Sequence, residues 1–436
     1  MTSSAGTVDR LWPRVAALAR RSRYAVAALD QVALSLFGFA LNLVLVRALS
    51  ATDFGIVSLW LSVSALTIGV QNALVNGPLS VYPPAARDPA AAGRLETALT
   101  LVNLLTIAVT ALAVALVNIA ADAEWARHDL VTALAIPLFT AFNLYREYHR
   151  SVAYSRHDMA MLLWIDLPYL AATSLCLVGM LAWPERFGSL AGAFLAMTVG
   201  GVISQLCLQR RRQEPGRRLF ARGTLTPYRA ISGEVSWSLV GVFANHVETR
   251  SYAYISTTMV GLVALAAINI VGVLFRPIMV LASAWSKTAL PQLSAMLGRG
   301  ETAAFGRLLA GALTATAIGS AAWYFVLLAC WEPVERLVLA GKYPEAQQLV
   351  LPWAAASAAS VLRYVAGMGL VAARQFKFLA HVQIVCGALS AAATVLMILW
   401  QGYVGAMWGI ALGNGACLLM ILARLRQARH PGFLEF

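Results

Sequence analysis

Apolar residues run in long blocks along this chain, and polar residues collect between them. Twelve blocks are each long enough to cross a bilayer as a helix, which takes about 20 residues at about 1.5 Å per residue. They fall at 25–46, 56–82, 95–119, 130–150, 159–181, 190–208, 231–255, 259–285, 308–331, 349–373, 379–400 and 404–422. Asn143, Arg146 and Glu147 interrupt the second half of the fourth. The pattern predicts an all-α, polytopic membrane protein of about 12 transmembrane helices.

The longest inward segment, 209–230, divides these blocks into two sets of six. The expected organisation is a basic cytoplasmic segment 1–24, a first lobe 25–208, a basic linker 209–230, a second lobe 231–423 and a tail 424–436. Residues 8–23 read either as an interfacial amphipathic helix or as a plain basic tail. A faint internal repeat supports the division. Pro83, Pro84 and then Gly93-Arg94-Leu95 open the third block, while Pro291 and then Gly306-Arg307-Leu308 open the ninth. Repeats of this kind are common in transporters, with the substrate path between the halves. Two six-helix lobes around a central cavity are therefore expected.

Composition narrows the function. Of the 436 residues 60% are hydrophobic and 12% charged, against about 25% charged in a soluble domain. No loop has room for a soluble catalytic domain, so an enzyme would have to work with intramembrane groups. The net charge of +13 does not point to nucleic acid, because it sets topology. Of the 33 Lys and Arg, Arg47, Arg127, Arg186, Arg336 and Lys342 fall in outward segments, and Arg250, Arg276 and Arg363 inside blocks. The other 25 fall in inward segments, counting Arg146 and Arg150 at the inward end of the fourth block. That bias places both termini in the cytoplasm, with no cleavable signal peptide. Cys176, Cys207, Cys330, Cys386 and Cys417 all lie in predicted spans at no metal-ligand spacing. They read as small buried apolar residues, with neither disulfide nor metal site expected.

Charges inside the blocks are the candidate chemistry, because each costs about 2.5–3.5 kcal/mol in hydrocarbon on insertion scales. Arg276 lies about 25 Å along the eighth block and Arg363 about 21 Å along the tenth, both running inward, so their depths match. A guanidinium offers phosphate a planar pair of donors and keeps its charge. One reading is a cationic cavity for phosphate or pyrophosphate; the other is structural snorkelling or pairing. Glu248 and Arg250 lie near the outer end of the seventh block, two residues apart, so they do not face each other on a helix. Asp30, Asp166, Glu234 and Glu248 are candidates for coupling to Na+ or H+. Asn72 and Asn76 share a helix face beside Gln71 and could bind sugar hydroxyls or another helix. Pro78 and Pro277 interrupt the second and eighth blocks; broken helices at corresponding positions point to a binding path, while a proline alone can also simply kink a helix. His246 is the one histidine deep in a block, and the six histidines form no metal spacing.

Several stretches resemble a known family. Asp30-Gln31, Leu41-Asn42, Arg47-Ala48-Leu49-Ser50 and Asp53-Phe54-Gly55 are similar to the start of bacterial polysaccharide-export flippases, members of the multidrug/oligosaccharidyl-lipid/polysaccharide exporter superfamily. Asn76-Gly77-Pro78-Leu79-Ser80 resembles the end of their second helix. Tyr145-Arg146-Glu147, Tyr154-Ser155-Arg156 and Asp166 resemble their fourth and fifth helices, and Pro291-Gln292-Leu293-Ser294 the end of their eighth. The resemblance implies a non-enzymatic flippase of the bacterial inner membrane that moves a polyprenyl-pyrophosphate-linked oligosaccharide by alternating access, for exopolysaccharide, O-antigen or capsule synthesis. Arg276 and Arg363, with Arg250, would hold the pyrophosphate, and Asn72 and Asn76 the sugar. Membrane lipids, a polysaccharide polymerase and export machinery are the implied partners of a monomer, with no cofactor beyond Na+ or H+. A cation-coupled drug antiporter of the same superfamily is the alternative, and an intramembrane glycan polymerase or acyltransferase a more distant one.

Overall fold

The computed structural model describes residues 29–427 apart from 31, 86–87, 121–128, 157, 212–219, 222, 338, 340, 344 and 374. The basic segment 1–24, Gln31, four linker arginines (Arg212, Arg217, Arg218 and Arg222) and the tail beyond 427 lie outside the described residues. Among the described residues there is no strand. The helices are α1 (Val32–Ala48), α2 (Ala51–Gln71), α3 (Gly77–Ala85), α4 (Pro89–Ala120), α5 (Leu130–Ser155), α6 (Met159–Ala182), α7 (Pro184–Phe187), α8 (Leu190–Arg211) and α9 (Thr226–Arg229). They continue as α10 (Ser232–Val260), α11 (Leu262–Leu274), α12 (Arg276–Gly298), α13 (Thr302–Ala329), α14 (Trp331–Leu337), α15 (Val350–Ala372), α16 (Phe376–Gln401) and α17 (Gly405–Gln427).

Where it is described, each predicted apolar block falls on helix. By length and composition seven described segments can cross a membrane, or eight if α11 and α12 count as one bent span. One of the seven, Lys377–Gln427, is itself two helices, α16 and α17, that pack on each other. The helices α1, α5 and α10 are absent from that set. The first is short within the described residues, and α5 and α10 each carry three charged residues.

Two compact units organise the chain. One holds the described residues up to 44 with 67–238; the other holds 45–66 with the described residues from 239. In the first unit α4, α5, α6 and α8 pack around Leu99, Val152, Leu162, Ile165 and Leu208. The carboxylates of Asp129 and Asp158 accept from the N–H groups of Thr132 and Met161 and so start α5 and α6. In the second unit α13, α15, α16 and α17 pack around Leu370, Val382 and Ile421. A side chain at Gly409 would put its Cβ 2.4 Å from the Thr394 backbone, so glycine lets α17 lie directly on α16.

That close approach corrects one expectation. Cys386 on α16 and Cys417 on α17, both fully buried, form a disulfide with their Cα atoms 5.8 Å apart. Spacing in the sequence gave no sign of the pair, because a tight helix contact rather than a motif brings the two together.

Pro277 follows a break in its span, whereas the helix through Pro78 stays continuous, and the lost backbone bonds are made up in parallel ways. Pro78 has no N–H for the Leu74 carbonyl. The preceding turn, Asn72–Asn76, widens into a π-helix, with Gly77 N–H on Asn72 O. The Tyr228 hydroxyl of α9 then donates to Leu74 O at 3.0 Å. At the break α11 and α12 meet at Phe275 with a 47° bend, followed by Pro277. There the Trp323 indole N–H donates to Leu274 O at 2.9 Å. In each case an aromatic donor satisfies a carbonyl that an unbroken helix would have used.

Within the second unit Lys342 closes the end of α1. Its Nζ donates to the carbonyls of Val46, Arg47 and Leu49 at 3.0, 2.8 and 2.7 Å. A cation suits a helix C-terminus, where the last carbonyls lack partners. Burial lowers the Lys342 pKa from its usual value. Replacing Lys342 by Met is expected to cost about 1.5–3 kcal/mol, the worth of hydrogen bonds from a charged group. Thermal unfolding of the purified protein in detergent is the check; an unchanged midpoint would show that the cap contributes nothing.

Candidate functional site

The second unit contains a cavity of about 380 Å³, within the range of small-molecule sites. Five helices supply its walls. Glu248, Arg250 and Tyr252 come from α10, Asn269 from α11, and Arg276 from the first position of α12. Trp353, Ser357, Ser360 and Arg363 come from α15, and Asn414 from α17. The spacing of three and four along α15 puts its contributors on one helix face. The break at Phe275 opens the far side. There Gly272 leaves room for the Trp353 ring, since a Cβ would sit 2.4 Å from it. Trp353 stacks on Phe275 at 6.4 Å and donates to Ile268 O at 2.7 Å.

Charge in this cavity is unbalanced. Arg363 Nη1 lies 2.7 Å from Glu248 Oε1, whose side chain is 1% exposed. Among the described residues no carboxylate pairs with Arg250 or Arg276. Arg250 is half-buried, and Arg276 is exposed. Three guanidiniums thus face one carboxylate. Other donors point the same way: the Asn269 Nδ2 is buried and unpartnered, while its Oδ1 accepts from Tyr252 at 2.9 Å. The first turn of α12 begins at Arg276 with no side-chain cap, so the positive end of its helix dipole lies at the same place. The charge and donors of such a cavity suit an anion.

The structure brings Arg250, Arg276, Arg363 and Glu248 together there. It places the other candidates in the first unit. Asn76 Nδ2 donates to Asn72 Oδ1 at 2.8 Å, and Gln71 Nε2 donates to Asn103 Oδ1 and Leu144 O at 2.8 and 2.7 Å. This amide cluster ties the π-turn to α4 and α5; Asn72 itself is exposed. Glu234 is exposed and accepts from the Tyr82 hydroxyl.

Asp30 and Asp166 belong to a buried ionic network that α5 completes. Arg146 Nη1 donates to Asp166 Oδ1 at 3.0 Å, and Arg150 Nε donates to Asp166 Oδ2 at 2.9 Å. Arg150 also reaches Glu147 at 2.9 Å and Asp30 at 3.3 Å. The Tyr154 hydroxyl donates to Asp30, and the Arg146 guanidinium lies 3.9 Å over the Tyr169 ring. Three carboxylates here meet two guanidiniums.

Sequence reasoning missed Asn269, Trp353, Ser357, Ser360 and Asn414 as cavity residues. For three of them a signal existed: Trp353, Ser357 and Ser360 share the helix face of Arg363. Arg146 and Glu147 read as an interruption in the fourth block and Arg150 as an inward-segment charge, rather than as partners of Asp30 and Asp166.

No protein-family model and no curated protein sequence matches this chain. Solved structures do. An inward-facing multidrug resistance MATE family transporter of the MOP superfamily superposes with a TM-score of 0.67 at 12% identity, covering 92% of this chain and 98% of that one. Lipid II flippase MurJ in an inward closed conformation gives a TM-score of 0.72 at 10% identity over 91% and 87%. A point mutant of the Vibrio cholerae MATE transporter VcmN gives 0.60 at 15% identity over 95% and 98%. The chain has the fold of these membrane proteins. It is a multi-pass membrane protein of that architecture.

Proposed function

We propose that this protein flips a polyprenyl-pyrophosphate-linked oligosaccharide across the bacterial inner membrane, for exopolysaccharide, O-antigen or capsule synthesis. The observation that carries the reading is the surplus of guanidinium in the second unit's cavity, where Arg250 and Arg276 have no carboxylate partner among the described residues. A pyrophosphate diester carries one ionised oxygen on each phosphorus, which matches two unpaired cations in charge and in donor geometry. A lipid II flippase is among the solved proteins of this fold, which supports a lipid-linked cargo. The network in the first unit has one carboxylate more than it has guanidiniums. That surplus supports coupling to a cation, H+ or Na+, with Asp30, Glu147 and Asp166 as the carboxylates involved. A polymerase and export machinery would receive the product.

The MATE transporters of the same fold support the alternative of a drug antiporter. A cationic drug would meet net repulsion in a cavity of three arginines and one glutamate. A deletion strain separates the two readings. It is expected to accumulate lipid-linked glycan accessible from the cytoplasmic side, with unchanged drug susceptibility. Drug hypersensitivity together with normal glycan export would overturn the flippase reading.

A further inference from the structure

A second concavity in the same unit has the opposite chemistry. It is an apolar groove of about 570 Å³ between α12 and α13, walled by Leu281, Trp285 and Trp323. Its floor is a row of small residues, Gly311, Ala315 and Gly319, four apart and so on one face of α13. A Cβ built on Gly311 or Gly319 has no neighbour within 4 Å, so the floor is uncovered. Only 11% of the apolar stretch of α13 is buried, the smallest share among the seven apolar segments.

The two ends of the groove distinguish it from an ordinary lipid-facing surface. At one end α13 begins, and Arg307 lines the groove. Arg307 is exposed and has no carboxylate partner among the described residues. Its counterpart in the repeated Gly-Arg-Leu triplet, Arg94, lies 3.6 Å from Asp88. At the other end the groove reaches Pro277, the residue after Arg276 of the cationic cavity. The helix α15 joins the two as well, with Val361 in the cavity and Val365 in the groove. From Arg307 to Trp323 the groove follows α13 for about 24 Å at about 1.5 Å per residue, longer than one leaflet of a hydrocarbon core about 30 Å thick.

We infer that this groove is the loading site for the polyprenyl chain: Arg307 meets the pyrophosphate at the membrane surface while the head-proximal part of the isoprenoid lies over Gly311, Ala315 and Gly319. The inference rests on the flippase reading above. An apolar chain ending in an anion fits a groove that is apolar along its length and cationic at its mouth. The continuity through Arg276 and Pro277 puts the cationic cavity next to the loaded lipid.

The test uses the purified full chain with two sugar-free probes, undecaprenyl diphosphate and geranyl diphosphate. Wild type is expected to prefer the long chain. Gly311→Leu and Gly319→Leu fill the floor from a Cβ that has no neighbour within 4 Å, so the fold should tolerate them. They are expected to weaken undecaprenyl diphosphate by about tenfold, the cost of leaving a few methylene groups unburied, and to leave geranyl diphosphate unchanged. Arg307→Gln should weaken both probes by about tenfold, the loss of a hydrogen bond to a charged group. Long-chain binding at wild-type strength in the filled variants overturns the groove assignment alone. So does equal competition by a phosphatidylglycerol vesicle, which would make the groove a site for ordinary lipid. Failure of wild type to bind either diphosphate overturns both this inference and the flippase reading.

Discussion

Arg276→Ala is expected to abolish glycan export while the protein still reaches the membrane at normal levels. Arg276 has no carboxylate partner among the described residues and shares a cavity with Arg250. Removing it leaves no buried anion stranded and relieves repulsion between like charges, so folding stability should hold or rise slightly. What is lost is a charge-assisted, bidentate contact with the headgroup, worth about 1.5–3 kcal/mol or about 10- to 150-fold in affinity. Arg276→Lys should rescue little, because an ammonium cannot reproduce the planar fork. The measurement is polymer export and accumulation of lipid-linked intermediate, beside the membrane level of the variant. Normal export by Arg276→Ala would sink the role assigned to the cavity. Glu248→Gln makes the informative contrast: it frees Arg363 from its 2.7 Å ion pair, and should lower stability more than Arg276→Ala does.

Arg150→Ala is expected to have the largest effect on stability. Arg150 is buried and touches three carboxylates, Asp30, Glu147 and Asp166. Without it they face Arg146 alone. Breaking a buried ionic group by removing one partner costs about 3–5 kcal/mol, because the remaining charge stays desolvated, and that is a large share of the about 5–15 kcal/mol that holds a typical domain folded. The variant should accumulate poorly and melt early in detergent. Adding Glu147→Ala to it restores the original difference between anions and cations and should recover part of the loss. Asp166→Asn should be milder than Arg150→Ala, since an amide oxygen can still accept from one guanidinium. Wild-type melting of Arg150→Ala would show that water or a bound cation already screens the network.

Both variants sit on residues whose importance the sequence carries unevenly. Arg276 and Arg363 stand out in the chain because a guanidinium in an apolar block is expensive, and their depths match by counting residues along two inward-running spans. Arg146 and Arg150 lie in a block weakened by several polar groups, so they looked like a poor span rather than like half of an ionic network. The Tyr228 hydroxyl on Leu74 O is further from sequence: nothing local to a linker tyrosine marks it as the donor that Pro78 leaves missing in another helix.

By itself, the sequence determined where the helices lie, which charges are out of place among apolar residues, and that prolines interrupt the second and eighth blocks. These follow from local rules. A bilayer demands apolar length, backbone groups in it must bond within their own segment, and proline has no N–H to give. Only the tertiary structure decided who meets whom. It put Glu248 against Arg363 and joined Cys386 to Cys417, and it left Arg250 and Arg276 in that same cavity with no carboxylate partner among the described residues. Periodicity fixes the face and depth of a side chain, but a neighbour on another helix depends on how closely the backbones approach. That is set by small residues such as Gly272 and Gly409, whose missing side chains become legible only when the partner helix is in place.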